Sequence, residues 1–319
     1  MIEEYIPKIS VVMSVYKEPV EWLRESIDSI LNQTFSDFEF IIICDNPDYK
    51  EGIELLETYK KKDNRIVLIY NEQNIGLTKS LNRGLSIARG EYIARMDADD
   101  ISLPDRFETQ LGLFKQKNDI DVCGTNAKMI GARNDIIICP QYNEQVNLFL
   151  DNCFVHSSVM MKKKVAVLKY NELCRTAQDY ELWLRAQQAG FIFYNIQQEL
   201  ILYRISENQI TRVNKRNQGK VASGVRRKSL NMLLESKGVC FRLEKDADIT
   251  LNFVDSIYKY LEIDEQKKQK LLFYLLLSAP NKTWDVVFFL IRSGVLTYLP
   301  LSSVIRIIVN TVTRKTVLY

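Results

Sequence analysis

Several features that define common enzyme classes are missing from this sequence of 319 residues. It has a single histidine, His156, which excludes zinc sites built from several histidines and leaves carboxylate oxygens as the expected metal ligands. No G-x-G-x-x-G follows the first predicted strand, which argues against a dehydrogenase. The six cysteines form no C-x-x-C pair and no secretory signal precedes them, so we expect reduced thiols in a cytoplasmic protein.

Excess charge and long apolar runs are missing too. The net charge is only +3, which gives no argument for a nucleic-acid partner. No uncharged run reaches the length of about 18 residues that a membrane-spanning helix needs. The composition, 46% hydrophobic and 26% charged, is ordinary for a folded protein, and the length allows one large domain with an appendage.

Strand-like and helix-like segments alternate through the first hundred residues. Short apolar runs predict strands at Ile9–Val15, Phe38–Cys44 and Ile66–Tyr70, and a fourth from Tyr92. Helical spacing of apolar residues lies between them. The order β-α-β-α-β-α-β predicts an α/β fold: a Rossmann-like, mostly parallel sheet with helices on both faces.

The chain after residue 100 predicts shorter elements. Helices are expected from Leu103–Arg106 to about Lys117 and over Thr176–Gly190. Strands are expected near Asp121–Cys123, Ala127–Ile130, Ile136–Cys139, Phe191–Asn195 and Leu200–Tyr203. The shortness of the first three and their turn residues favour antiparallel additions at the edge of the sheet.

Three carboxylates crowd the end of the fourth strand. Asp97, Asp99 and Asp100 lie within four residues, and charges this close repel one another unless a cation lies between them. Ligands of open α/β sheets bind beyond the carboxyl ends of the strands, and a hard divalent ion there suits a phosphate-bearing substrate. The alternative is a polar loop that caps the next helix, because an isolated D-x-D is common.

Two neighbouring strands end at the same predicted edge. The first ends in Ser14-Val15-Tyr16 and the second is followed by Asp45. Asp45 suits hydrogen bonds with a nucleobase or ribose, and Tyr16 suits stacking on the base. A turn-forming Asp45 and a half-buried Tyr16 are the alternatives.

Five segments occur in order over roughly residues 8–205: ISVVMSVYKEP, FEFIIICDNPD, NIGLTKSLNRGLSIARGEYIARMDADD, SLPDRF and AQDYELWLR. Together they resemble glycosyltransferase family two, with the GT-A fold, and particularly its bacterial enzymes of surface-polysaccharide assembly. The resemblance implies an inverting hexosyltransferase that uses Mn²⁺ or Mg²⁺. It would move a sugar from a UDP-sugar to a hydroxyl of a lipid-linked glycan in capsule, lipopolysaccharide O-antigen or exopolysaccharide synthesis. The alternatives are a sugar-nucleotide or phosphoryl transferase and a catalytically degenerate scaffold that binds UDP-sugar.

The resemblance also implies roles on the nucleotide side. Ser14, Tyr16 and Asp45 would hold uridine, and Lys79 would lie near the nucleotide. Asp97 would contact ribose or the water shell of the metal.

The remaining implied roles concern the metal and the acceptor. Asp99 would bind the metal that bridges the diphosphate, with Asp97 as the second acidic residue of the metal site. Relatives often carry histidine where this chain has Ser206, which leaves the third ligand open, and Arg204 is expected to clamp phosphate. His156 would lie on the acceptor side, with a structural hydrogen-bonded role as the alternative.

Asp179 would be the general base. It opens an apolar helix, where a partly desolvated carboxylate is more basic, although capping of that helix is an alternative role. Many relatives carry an acidic pair where this chain has Gln178-Asp179, so one clear base remains, with Glu181 as second choice. We place Trp183 among the packing residues of this helix and on the acceptor side.

The sequence changes character near residue 210. We therefore divide it into a GT-A catalytic domain, 1–210, and a helical C-terminal region, 211–319. The segment Asn208–Leu234 holds seven basic residues and no acidic one, and Trp284–Val309 is strongly apolar. These segments suit peripheral association with the inner face of the cell membrane, with a packed helical core as the alternative.

Overall fold

The computed structural model describes residues 5–141, 148, 152–174 and 176–206, together with single helical positions between residues 221 and 235. The apolar stretch Trp284–Val309 and nearly all of the basic segment Asn208–Leu234 lie outside these residues. The domain boundary near residue 210 and the helical region 211–319 therefore stay predictions. Within the described residues, no helix is both long enough and apolar enough to cross a membrane.

Four parallel strands form the first half of the sheet, in the order β3-β2-β1-β4. These strands are β1 (Ile9–Val15), β2 (Phe38–Cys44), β3 (Ile66–Tyr70) and β4 (Tyr92–Asp97). The helices between them are α1 (Val20–Leu31), α2 (Lys50–Lys62) and α3 (Leu77–Ile87). Every residue of β1 and β2 is buried, as expected for strands covered on both faces.

Helices cover both faces of this half of the sheet. Val11 of β1 belongs to a core cluster that includes Leu23 and Ile27 of α1. Side chains alternate along a strand, so Val12 points to the opposite face. There a Cβ atom added at Gly84 of α3 would lie 2.6 Å from Val12 Cγ1. Glycine at this position thus lets α3 approach the sheet closely, and the predicted α/β layering is confirmed.

The second half of the sheet mixes strand directions. Its elements are β5 (Ile101–Ser102), α4 (Arg106–Gln116), β6 (Val122–Gly131), β7 (Ile136–Ile137), a 3₁₀ turn (His156–Ser158), β8 (Met160–Lys162), α5 (Lys163–Ala166), α6 (Gln178–Gln188) and β9 (Phe193–Ile205). β8 pairs antiparallel with both β4 and β6, and so joins the two halves. β6 and β9 run parallel, while β5 and β7 pair antiparallel with β9 and β6. Parallel pairing therefore dominates in the first half only.

β6 is longer and more central than the sequence predicted. The predicted strands Asp121–Cys123 and Ala127–Ile130 form one continuous strand between β8 and β9. The residues that separate them, Gly124, Thr125 and Asn126, are buried, and the Asn126 side chain accepts a hydrogen bond from Cys139 N at 2.8 Å. The edge placement was wrong because a buried polar residue with a partner does not end a strand.

β9 likewise joins two predicted strands, Phe191–Asn195 and Leu200–Tyr203. Its pairing with β6 passes from Ile196 directly to Glu199, which marks a β-bulge. Gln197 lies in this bulge and donates to a backbone carbonyl of the segment that follows β7. The polar interruption in the sequence is therefore a bulge within one strand.

Candidate active site

The carboxyl ends of the parallel strands meet at one edge of the sheet. In the strand register, Ser14 lies between Ile43 on β2 and Asp97 on β4. Asp45 N donates to Val15 O at 2.7 Å, so the pairing of β1 with the β2 segment continues beyond β2 itself. The predicted strand-end residues are thus next to one another because the strands are in register.

Asp45 is 2% exposed, and its carboxylate organises the turn before α3. Oδ1 accepts from Asn71 Nδ2 at 2.7 Å and from Ile75 N at 2.9 Å, and Oδ2 accepts from Gly76 N at 2.8 Å. Gly76 has a φ of 87°, a conformation that favours glycine. A carboxylate has about four acceptor positions, and three of them are used within this turn, so the nucleobase contact of Asp45 stays a prediction.

Tyr16 and Lys79 are both accessible to a ligand. Tyr16 follows β1 directly and is 38% exposed, with Lys17 Nζ 5.3 Å from its ring centroid. Lys79 is exposed in the first turn of α3. The described positions of both side chains are compatible with the nucleotide contacts that the sequence predicted.

The three carboxylates that end β4 have different environments. Asp97 and Asp99 are partly exposed, whereas Asp100 is fully buried. Asp100 accepts hydrogen bonds from Ser157 Oγ and from Arg204 N, the latter at 2.8 Å. Burial raises the pKa of Asp100, and the charges of Asp99 and Asp97 raise it further. Asp100 therefore anchors the loop, which leaves Asp97 and Asp99 as its accessible carboxylates.

Glu18 is a further acidic residue of this site that sequence reasoning missed. Its carboxylate accepts from Tyr16 N at 2.8 Å. Burial raises the pKa of Glu18, and so do the charges of Asp99 and Asp97. Its position two residues after Tyr16, at the same edge as the other strand-end acids, was the signal that could have found it.

Arg95 is a buried cation two residues before Asp97. Its side chain is 2% exposed, and one guanidinium nitrogen donates to Asp97 Oδ1. A second nitrogen donates to Val12 O at 3.4 Å, and Nε has no hydrogen-bond partner within the described residues. The ion pair leaves Asp97 Oδ2 as the oxygen that a ligand can engage.

Arg204 supports the acidic loop from β9. Its Nε donates to Asp99 O at 2.8 Å, another nitrogen pairs with Glu25, and its Cζ lies 5.0 Å from the centroid of a Trp22 ring. These contacts position the Asp99 loop, and the phosphate clamp expected of Arg204 stays a prediction.

The acidic residues fit a divalent ion that a substrate completes. Within the described residues, no group of three or more acidic, Cys or His side chains is arranged to hold a metal alone. Mg²⁺ usually binds through one or two carboxylates together with substrate phosphates, which Asp97 and Asp99 can match. The charges of these two residues also act on Glu18, and a cation would relieve that repulsion.

Partly exposed His156 and buried Tyr170 form a polar pair. His156 Nε2 lies 2.8 Å from Tyr170 Oη. Burial and the charge of Arg95 lower the pKa of His156 to about 4, while Asp179 and Asp97 act in the opposite direction. Burial raises the pKa of Tyr170, and Asp179 and Asp97 add to that rise. The two carboxylates thus act on the same histidine and tyrosine.

Trp183 supports His156 from within the core. It is 0% exposed, which confirms its packing role, and its ring centroid lies 6.4 Å from that of His156 at a near-perpendicular angle. Trp183 is buried behind this ring contact, and the acceptor-side role predicted for it stays a prediction.

Asp179 lies in the first turn of α6 and is partly exposed. Ala177, before the helix, has a left-handed φ of 55° and makes no side-chain cap. Asp179 Oδ2 accepts from Asn152 Nδ2 at 2.6 Å. Glu181, the second choice for the base, is buried and pairs with Arg185 at 2.9 Å. Asp179 is the more accessible carboxylate of the two.

Helix α3 is bonded to the segment that precedes α6. Asn82 of α3 donates to Tyr170 O at 2.9 Å and accepts from Tyr170 N at 2.8 Å. Thr78, one turn earlier, donates to Cys174 O at 3.0 Å. The segment that leads from Tyr170 towards α6 is thereby fixed to the helix that carries Lys79.

Comparisons with known proteins agree with this architecture. The family model for glycosyl transferase family 2 matches residues 10–167. An uncharacterised glycosyltransferase of Methanocaldococcus jannaschii is 40% identical over 218 residues, which are 66% of this chain and 75% of that protein. The chain belongs to glycosyltransferase family 2. The O-antigen biosynthesis glycosyltransferase WbnJ of Escherichia coli is also similar. It is 38% identical over 205 residues, which are 62% of this enzyme and 79% of WbnJ.

A solved structure confirms the fold of this family 2 glycosyltransferase. The crystal structure of S. aureus TarS 1–349 in complex with UDP-GlcNAc covers 91% of this chain and 89% of its own, with a TM-score of 0.57 and 14% identity. At that identity the likeness shows the fold alone, which is the predicted GT-A type.

Proposed function

We propose that this family 2 glycosyltransferase transfers a sugar, with inversion, from a UDP-sugar to a hydroxyl of a lipid-linked glycan in surface-polysaccharide synthesis. The observation that carries the proposal is the strand register, which puts Ser14 beside Asp97 at the edge of the sheet where Asp45 also lies. The UDP-GlcNAc complex of TarS and the O-antigen role in the name of WbnJ support the donor and product classes.

The donor is held, in this proposal, at the strand ends. Ser14, Tyr16 and Asp45 contact uridine, and the last acceptor position of Asp45 takes a base N–H. Lys79 neutralises phosphate charge, and Asp97 Oδ2 reaches the ribose or the water shell of the metal. Charged donors and acceptors placed in advance cost no reorganisation when the reaction occurs.

Asp99 is the proposed ligand of Mn²⁺ or Mg²⁺, with Asp97 beside it. Such an ion would stabilise the charge on the departing diphosphate without proton transfer. Arg204 and Asp100 act on this chemistry only by holding the Asp99 loop in place.

Asp179 removes the proton of the acceptor hydroxyl as that hydroxyl attacks from the face opposite UDP. A carboxylate within hydrogen-bond distance of a nucleophile contributes about 10²–10⁴ in rate. Neutral His156, oriented by Tyr170, is a hydrogen-bonding group for the same acceptor. Family membership favours this sugar transfer over phosphoryl transfer.

UDP release tests the proposal. The donors are UDP-Glc, UDP-Gal, UDP-GlcNAc and UDP-GalNAc, with a bacterial glycolipid extract as acceptor and Mn²⁺ or Mg²⁺ added. We expect Asp179→Asn to lower kcat by about 10²–10⁴ and Asp99→Asn to abolish the metal-dependent part of UDP binding. Asp105→Asn, an exposed acid of the same loop region with no side-chain cap bond, is the matched control.

Three outcomes would contradict parts of this scheme. Wild-type rates with Asp99→Asn would remove the metal role, and an active Asp179→Asn would remove the base. Tight UDP binding without turnover on any donor and acceptor would favour a scaffold protein.

The acceptor and the location are tested in cells. We propose peripheral association with the inner face of the membrane, where lipid-linked glycans are built. Mass spectrometry of lipid-linked intermediates should show one species accumulating when the gene is deleted. Loss of no such species would argue against a lipid-linked acceptor.

A further inference from the structure

Asp179 and Asn152 meet across 27 residues of sequence. The Asn152 amide nitrogen donates to Asp179 Oδ2 at 2.6 Å, and this is a side-chain contact between the chain before the 3₁₀ turn and the first turn of α6. Hydrogen bonds to a charged partner are the short and strong class.

The orientation of the Asn152 amide is fixed from its other end. Asn152 Oδ1 accepts from Phe154 N at 3.3 Å, so the oxygen is committed to the backbone and the NH₂ group faces Asp179. Phe154 is itself buried between Trp183 of α6 and Phe193 of β9, with ring centroids 5.7 and 5.6 Å away. The donor and the carboxylate are therefore held by one aromatic cluster.

We propose that Asn152 is a positioning residue for the base: it holds Asp179 Oδ2 and so directs Oδ1 to the acceptor hydroxyl. Within the described residues, Oδ1 has no hydrogen-bond donor, which is what proton removal requires. The inference rests on the proposed role of Asp179. It adds a residue that the five motif segments of the sequence do not include.

Asn171 offers an internal control with the same construction. Its Oδ1 accepts from Leu173 N at 3.1 Å and its Nδ2 donates to Glu181 Oε1 at 3.2 Å. It thus binds the other carboxylate of α6, the one that is paired with Arg185.

The charged and titratable groups around Asp179 are unchanged in the two Asn→Ala variants, and only Asn152→Asp adds one. They are His156 of the 3₁₀ turn, Tyr170, Arg95 and Asp97 of β4, and the Glu181–Arg185 pair of α6. A change in the pH profile that is specific to one asparagine therefore reports the bond of that asparagine.

The test is the pH dependence of kcat for UDP release from the donor with the highest turnover. Asn152→Ala removes the bond that orients the Asp179 carboxylate and should lower kcat about tenfold, with the acidic limb at higher pH because loss of a hydrogen bond favours the protonated acid. Asn152→Asp adds a like charge and should move the limb further. Donor KM should stay unchanged, and Asn171→Ala should leave the limb in place.

Each other outcome has a definite meaning. An unmoved limb in Asn152→Ala, with Asp179→Asn inactive, overturns this inference and keeps the proposed function. A limb that moves in Asn171→Ala instead assigns the base to Glu181. An active Asp179→Asn removes the proposed base, and the role of Asn152 with it.

A second measurement uses the wild-type protein and so does not depend on how well a variant folds. In free wild-type protein, the ¹⁵N–¹H signals of the Asn152 side-chain amide should shift with pH at the midpoint of the acidic limb of kcat/KM, which reports the free enzyme. The Asn171 signals should not follow that midpoint. Asn152 signals that ignore it would also overturn the inference.

Discussion

Asp45→Asn keeps the shape of a buried side chain and changes one acceptor oxygen into a donor. In one orientation the new amide nitrogen would face two donors, Asn71 Nδ2 and Ile75 N. In the other it would face only Gly76 N. The second orientation is therefore preferred, and it still places two N–H groups against each other in the turn before α3.

The expected loss follows from these contacts. A hydrogen bond to an ionised group contributes about 1.5–3 kcal/mol, and the two bonds that remain become neutral ones. Asp45 is 2% exposed, so water cannot replace the lost partner. We expect the free energy of unfolding to fall by about 2–4 kcal/mol and UDP to bind at least about tenfold more weakly.

Urea unfolding and calorimetric titration with UDP measure both effects. Asp48→Asn is the matched control, because it makes the same change at an exposed position three residues later. Surface changes of this kind usually stay within about 0.5 kcal/mol. If the two variants differ by less than that, the carboxylate of Asp45 does not hold the turn.

Three further substitutions probe the site and its support. The depressed pKa of His156, about 4, means that the unfolded chain binds more protons below pH 6.5, so stability should fall as the pH drops from 6.5 towards 4. His156→Gln should lose less stability than wild type over this pH range, as measured by urea unfolding at several pH values. If the unfolding free energies of the two proteins fall in parallel, His156 is not the source of the pH dependence. Arg95→Met breaks the pair with partly exposed Asp97 and should cost about 1–3 kcal/mol of unfolding free energy, whereas a change under 0.5 would show the pair to be dispensable. Gly84→Ala would bring a Cβ to 2.6 Å from Val12 Cγ1 and should lower the stability by about 1–2 kcal/mol despite the better helix propensity; a stabilised variant would contradict the close packing of α3.

The parallel half of the fold could be predicted from the sequence almost residue by residue. The strands Ile9–Val15, Phe38–Cys44 and Ile66–Tyr70 are apolar runs that turn residues bound sharply, and all three have the predicted limits. In the second half, the polar side chains of buried Asn126 and exposed Gln197 both bond to the backbone of Cys139, so they interrupt the pattern without ending the strands. A periodicity argument cannot separate these two cases.

The candidate site shows a similar division. Asp97 and Asp99 could be found because they crowd together directly after a strand. Arg95 could not be found in this way, because its role depends on an ion pair that only the strand geometry defines. Asn152 lies 27 residues from Asp179 in the sequence, and no local sequence pattern predicts a contact over that separation.

The bonds from Asn82 and Thr78 of α3 to the Tyr170–Cys174 segment have a consequence for engineering. If this segment were replaced by that of a relative, its backbone would lose these hydrogen bonds unless the matching face of α3 were exchanged as well. Chimeras that exchange the helix and the segment together should outperform chimeras that exchange the segment by itself.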